Sequence, residues 1–437
     1  MMFYRKIEER INRYYADKNA KILVIDGARQ IGKSFIIRET GKKFFKHFVE
    51  INLKDDSEGD KLFESVRTTE DFYLQVSALY GNNLGDVSDT MIFLDEIQVY
   101  PHLLTMLKPL KADARYRYIC SGSLLGITLQ HTFIPMGSID EVKMFPMDFE
   151  EFLLANNVGK DVISYLRKCF ADQTPPSEGI HKTILGLFKR YLLSGGLPDS
   201  VKAFVEAKNV YTMRENQALT YKYYSDDAAK YDKEHSLKIR RIYDYLSSYM
   251  ENKVKRIQFK KIEDAPKASM GRYQDEFDYL LSSGCVLGAK AISNPVFPLC
   301  ESASKNLIKL YYNDVGLLTN LLYKNNIDAV LNKDSGVNLG SVYETACAME
   351  LSAHGHDLYY FDSKKVGGVD FLINDYENTS ILPIEIKSGN DQNNFRAIPK
   401  LVKEPYNLQK GYIFGNENGI SSKSNLVTFP IYMIMFL

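Results

Sequence analysis

Short apolar runs separated by stretches of helical spacing lay out the first part of the chain. Lys21 to Ile25 (KILVI) is a run rich in β-branched residues and reads as a buried strand. A glycine-containing turn follows, and Phe35 to Thr40 continues as the start of a helix. Phe48 to Leu53 alternates and predicts a second strand, and Asp60 to Tyr80 has helical spacing. Met91 to Leu94 and Tyr116 to Cys120 are two further strands. Arg5 to Tyr15 is a helix that leads into this set. Strands alternating with helices predict an α/β domain with a parallel sheet and flanking helices.

From Asp148 to about Lys230 the spacing is helical, broken by DQTPPSEG and by SGGLPD, Ser194 to Asp199. The glycine pair and Pro198 fix a turn between helices. Leu237 to Met250 is a helix, VKRIQFKKI follows, and Ser269 to Ser283 is a second helix ended by Gly284. CVLGAKAI is then a strand. Helix, basic segment, helix, strand is the order of a winged helix. Beyond it, Gly340 to Leu351 is an apolar-faced helix, LYYFDS and Val369 to Asn374 are strands, and ILPIEIKSG completes a hairpin. Phe429 to Leu437 is apolar, too short to span a bilayer, and reads as a closing strand packed inside.

A chain of 437 residues is long enough for about two to four domains with ample core. The expected division is a parallel-sheet α/β domain over 1–150, a helical linker or lid over 151–235, a winged-helix-like module over 236–300 and a last α/β domain over 301–437. Acidic and basic residues balance at 55 each, so any basic surface must be local. Cys120, Cys169, Cys285, Cys300 and Cys347 are scattered, odd in number and without a C-x-x-C pair, which predicts a reducing compartment, no disulfide framework and no zinc site. The charged, amphipathic N-terminus lacks the apolar core of a signal peptide, and the expected location is cytoplasmic.

The turn after the first strand is Gly27-Ala28-Arg29-Gln30-Ile31-Gly32-Lys33-Ser34, which fits the phosphate-binding loop G-x-x-x-x-G-K-[ST] (Walker A), with Phe35 opening the helix behind it. The glycines let successive N–H groups point at phosphate oxygens, and the helix N-terminus adds partial positive charge. Lys33 would reach the β- and γ-phosphates of ATP, and Ser34 would bind Mg²⁺. Asp95 and Glu96 stand at the carboxyl end of the Met91–Leu94 strand, where ligand chemistry falls in an open parallel sheet. Asp95 would hold Mg²⁺ and Glu96 would polarise the attacking water. Ser121 or Ser123, at the tip of the next strand, is the candidate sensor of the γ-phosphate; the alternative is a plain Ser/Gly turn.

GARQIGKS, IFLDEIQ, a strand ending in SGS, and then FPMDFEEFL resemble the AAA-type ATPases with a C-terminal domain of unknown function, the DUF4143 group. Arg29 matches that family's usual arginine in the loop, and SGGLPD and KLYYNDVGLL are similar to its GG-F-P and D-x-G-L-L segments. Where the family usually has Gly-Arg, this chain has Gly137-Ser138. If that arginine serves as a finger or sensor, it is missing here, which bears on the rate of ATP turnover. The resemblance also includes a winged-helix module. Lys253, Lys255, Arg256, Lys260, Lys261 and Arg272 form a local basic patch there that would suit duplex DNA, with protein contact as the alternative.

The C-terminal run resembles the PD-(D/E)xK nuclease core, whose pattern is a helical Glu, a strand Asp, then E-x-K on the next strand. Glu344, Asp370, Glu385 and Lys387 fill those positions. Two carboxylates and a lysine converging on neighbouring strands would be relieved by Mg²⁺. Asp370 and Glu385 would hold it, Lys387 would act on the water or the developing charge, and Glu344 would assist from outside the metal shell. His354 and His356 lie nearby and more simply follow a helix. The expectation is an ATPase that acts on DNA as a nucleotide-controlled, Mg²⁺-dependent nuclease and assembles with itself or a partner protein. The alternative is an ATP-dependent switch whose inert nuclease-like domain binds a partner.

Overall fold

The computed structural model describes residues 2–437 except 87–88, 124, 126–136, 229–235, 251–269, 333–335, 390–396, 404–405, 407 and 424. It divides into two compact units, Met1–Phe145 with Ser282–Gly284, and Pro146–Leu281 with Cys285–Leu437.

In the first unit, strands β1 (Ile22–Asp26), β2 (His47–Asn52), β3 (Thr90–Asp95), β4 (Arg117–Gly122) and β5 (Ile139–Lys143) form an all-parallel sheet in the order β2-β3-β4-β1-β5. Burial explains which strands the hydrophobic pattern reveals. β1 and β3 are covered on both faces and are buried at every residue, so they read as unbroken apolar runs. β5, IDEVK, is an edge strand with alternating exposure and two acidic residues, and it was not expected from the sequence. The helix expected over Asp60 to Tyr80 is shorter, Thr69–Tyr80. Thr68 and Asp71 form a capping box that starts it there, while the Asp56 carboxylate holds the preceding turn through the N–H groups of Leu62 and Phe63.

The second unit carries an eight-stranded mixed sheet. Its strands are β6 (Val286–Ile292), β7 (Ala303–Tyr312), β8 (Tyr359–Ser363), β9 (Gly367–Asp375), β10 (Ser380–Ile386), β11 (Gly411–Gly415), β12 (Ser421–Lys423) and β13 (Leu426–Pro430), in the order β12-β13-β11-β10-β9-β8-β6-β7. Helix Gly340–Ala353 packs against β6, β7 and β10 and is buried from Ser341 to Leu351. Such a helix is buried all round, its small residues suit close packing, and it carries two buried acids, Glu344 and Glu350. The helices Ser236–Met250 and Gln274–Ser282 flank the basic segment, and the strand after them, β6, belongs to this sheet. Lys253, Lys255, Arg256, Lys260 and Lys261 lie outside the described residues; Arg272 is exposed in a 3-10 turn, Met270–Tyr273. The closing strand expected over Phe429 to Leu437 ends at Pro430, which has no N–H for a ladder, and the rest is a buried 3-10 turn, Ile431–Phe436. Among the described residues no helix is long and apolar enough to cross a membrane.

Within the second unit one buried carboxylate holds the SGGLPD turn. Asp314 accepts hydrogen bonds from Gly196 N (2.6 Å) and Leu317 N (3.2 Å), with the N–H groups of Gly316 and Leu197 also directed at it. Gly195 has φ +64°, and a Cβ there would stand 2.0 Å from Asp314 Oδ1, so the turn needs glycine. Burial pushes the Asp314 carboxyl up to about 6 against those N–H groups. Asp314→Ala is expected to lower unfolding free energy by about 2–4 kcal/mol, because it leaves buried donors unpaired. Urea denaturation followed by fluorescence checks this, and a loss below about 0.5 kcal/mol would refute the tie.

Candidate nucleotide and metal sites

In the first unit the register of three strands assembles the site. Asp26 lies opposite Gly122, Ile25 opposite Ser121, and Leu94 opposite Cys120, so the carboxyl ends of β1, β3 and β4 finish level. The loop Gly27–Ser34 leaves β1 and enters helix Lys33–Phe44. Gly32 is left-handed at φ 93°, and Gln30 is also at positive φ. Gly27 has no room for a side chain, since a Cβ would approach Met144 O at 2.3 Å.

Lys33 is buried, and its Nζ donates to the carbonyls of Gly27 (2.8 Å) and Ala28 (2.7 Å). Burial pulls its pKa down, and the nearby charges of Glu96, Asp26 and Asp95 oppose that. Asp95 is buried too. Burial raises its pKa, while hydrogen bonds from the hydroxyls of Ser121 and Ser34 work the other way. Ser34 and Asp95 therefore present hard oxygen donors side by side, which fits a Mg²⁺ ion shared with nucleotide phosphates. Glu96 stands in the left-handed region at φ 56°, and its Oε2 accepts from Ser123 Oγ (2.9 Å) and from the Gln98 amide. Ser123 Oγ also accepts from Arg29 Nε at 3.3 Å. The two serines thus divide the work: Ser121 serves Asp95, and Ser123 links Glu96 to the loop arginine. Phe35 is exposed on the first turn of the helix.

Three residues escaped the sequence reading. Asp26, raised in pKa by burial, accepts from Leu125 N and lies near Lys33; its signal is a lone acid closing an apolar strand. Gln98 follows Glu96 by two residues. Arg5 is buried and braces the loop, with Nη1 donating to Ile31 O (2.9 Å) and Nη2 to Phe145 O (2.6 Å); nothing local in the sequence marks it.

In the second unit, helix Gly340–Ala353 and strands β9 and β10 bring Glu344, Asp370, Glu385 and Lys387 together. Asp370 Oδ2 accepts from Ile386 N at 2.9 Å, and Lys387 Nζ pairs with Glu385 Oε1 at 2.8 Å. Tyr311 OH donates to Glu344 Oε2 at 3.4 Å. Burial, then the charges of Glu344 and Glu385, push the Asp370 carboxyl up to about 8. Burial also raises Glu385, against its pairing with Lys387. Excess negative charge with oxygen donors fits a hard divalent cation. Among the described residues no three His, Cys, Asp or Glu side chains are placed to hold a metal ion by themselves. The fit is therefore to an ion held by Asp370 and Glu385 with its remaining ligands from water or phosphate, the usual manner of Mg²⁺. His354 instead meets Leu437 O (2.8 Å) and Asp148 Oδ2 (3.4 Å).

Residues 19–153 match a family model described as an AAA domain. Residues 185–328 and 339–434 match two domains of unknown function, DUF8612 and DUF4143. No curated protein matches the chain. Among solved structures, the Walker-type ATPase PABY2304 of Pyrococcus abyssi is similar at 14% identity and TM-score 0.44, over 74% of this chain and 96% of that one. The Hsp104–ADP complex of S. cerevisiae is similar at 13% identity and TM-score 0.28, over 64% of this chain and 38% of that one. Residues 19–153, in the N-terminal part of the chain, are thus similar to AAA domains.

Lys33→Ala is expected to weaken ATP binding by at least about tenfold while the circular dichroism spectrum stays that of the folded chain. Calorimetric affinity within about twofold of the unaltered chain would refute the loop assignment.

Proposed function

We propose that the first unit binds ATP with Mg²⁺ and hydrolyses it, and that the second unit cuts DNA with one divalent cation under control of the nucleotide state. The observation that carries the first half is the connected set Lys33, Ser34, Asp95, Glu96, Ser123 and Arg29 at the carboxyl ends of the sheet's inner strands. The loop N–H groups and Lys33 hold the phosphates, and Ser34 with Asp95 holds Mg²⁺, which supplies charge neutralisation at the phosphate oxygens. Glu96 orients water and takes its proton; Ser123 reports the γ-phosphate to it. Glu96→Gln keeps the shape and removes the base. It is expected to bind ATP normally and to lower phosphate release by about 10²- to 10⁴-fold; an unchanged rate would refute the role.

The second half rests on the convergence of Glu344, Asp370, Glu385 and Lys387. The substrate class follows from the charges: a cation between two carboxylates, with an ammonium beside it, suits a phosphodiester. Asp370 and Glu385 hold the ion, Lys387 stabilises charge on the reacting water or phosphate, and Glu344 acts on Asp370. Contact of Lys253, Lys255, Arg256, Lys260, Lys261 and Arg272 with the DNA backbone belongs to the same proposal, as do an intracellular location and assembly with a second copy. Cleavage of linear, nicked or single-stranded DNA is expected to need Mg²⁺ or Mn²⁺ and to disappear in Lys387→Ala. Equal cutting by both proteins would refute the role of Lys387.

A second reading is favoured by one observation: Glu96 is already engaged by Gln98 and Ser123, and Lys387 by Glu385. In that reading the chain is an ATP-dependent switch with an inert nuclease-like domain that binds a partner. Nucleotide retained at one per chain, with no metal-dependent cutting, would select it.

A further inference from the structure

Strand β7 carries a lysine that none of this chemistry uses. Lys309 stands opposite Ala289 in the β7–β6 ladder, and Ala291 stands opposite Tyr360 of β8. Residues two apart on a strand share a face, so Lys309 and Tyr360 do as well. The Lys309 ammonium lies 4.6 Å from the centre of the Tyr360 ring.

The next strand over is β9, and its pairing with β8 slips. Tyr359 pairs with Leu372 and Phe361 with Val369, so two steps on β8 span three on β9. Asp370 and Phe371 occupy the bulge. A bulge re-aims a side chain that strict alternation would send to the other face. Phe371 packs on Tyr311, 5.6 Å between ring centres, and Tyr311 is two residues from Lys309 on β7. Asp370, its neighbour in the bulge, thus comes to the side of the sheet that carries Lys309. The positive charge of Lys309 acts on both Asp370 and Glu385. Lys387 is committed to Glu385 at 2.8 Å, whereas Lys309 Nζ donates no hydrogen bond to any described residue.

We infer that Lys309 is a second cation of the carboxylate site, taking the charge role a second metal ion would have and so limiting the site to one divalent ion. The inference rests on the metal-dependent reading above and deepens it. Glu344, Asp370 and Glu385, when ionised, exceed Lys309 and Lys387 by one negative charge. One divalent ion turns that into one positive charge, which complements the single negative charge of a phosphodiester. A second ion would leave a large positive excess beside an uncommitted ammonium, which like-charge repulsion opposes.

Titration of Mn²⁺ into the full chain, with Asp370→Ala as the reference that identifies the site, tests this. The unaltered chain is expected to take up one Asp370-dependent ion. Lys309→Met removes repulsion on that ion and is expected to tighten its binding by about threefold to tenfold, while Lys309→Arg keeps the original affinity. A lysine that merely supported packing would give unchanged or weaker binding on removal, and that result in Lys309→Met overturns the inference. So do two Asp370-dependent ions in the unaltered chain. If the unaltered chain binds no Asp370-dependent Mn²⁺, the metal-dependent reading falls and the inference with it. If Lys309→Met does not fold, Lys309→Gln supplies the same comparison.

Discussion

Taking the ammonium of Lys33 out of water costs several kcal/mol unless opposite charge and carbonyl dipoles meet it. Two loop carbonyls and the acids Asp26, Asp95 and Glu96 meet it here. Those acids close β1 and β3, and they would repel one another without the lysine. Each side of this arrangement thus justifies the burial of the other, and the hydroxyls of Ser121 and Ser123 satisfy the carboxylate oxygens left over. The arrangement also fixes the sheet. A slip of one residue between β3 and β4 would turn Ser121 away from Asp95, so the register that fills the core also sets the chemistry.

The second unit solves the inverse problem. Its site begins from clustered carboxylates, and the compensation is incomplete. Lys387 pairs with Glu385, the Ile386 N–H serves Asp370, and Tyr311 serves Glu344. Asp370 still lies far above the usual carboxylate range, because burial and two neighbouring acids outweigh one N–H and a lysine. A site left with that excess is stable as a protonated pair or with a cation in place of the proton.

What the sequence reveals follows from how each element is buried. β1 and β3 are covered on both faces, so their apolar runs and the loop between β1 and its helix are plain in KILVI and GARQIGKS. Glu385 and Lys387 are legible because E-x-K matches the pattern of the resembling nuclease core, with Lys387 just past the end of β10 at Ile386. β5 is not, because an edge strand carries charge on its open positions. Lys309 is invisible for a different reason. Its neighbours in the fold lie far away in the chain, beside a bulge that shifts β9 by one residue. Arg5 meets Ile31 and Phe145, 26 and 140 residues away, and no local pattern records such contacts.

The departure at Ser138 can be weighed on the same geometric terms. Where the resembling family has an arginine, this chain has serine, and the sequence alone ties that loss to the rate of ATP turnover. Ser138 O accepts the hydrogen bond of Ile22 N, at the amino end of β1 and just before β5. The phosphate-binding loop leaves the carboxyl end of β1. Five residues of strand at about 3.3 Å each separate the two, a distance of roughly 16 Å. An arginine at 138 would need to extend well beyond its own length to touch a phosphate in the loop of its own chain. Within the loop itself stands Arg29, and Ser123 links it to Glu96. Serine at 138 therefore lies away from Lys33, Ser34, Asp95, Glu96 and Arg29, at the other end of β1.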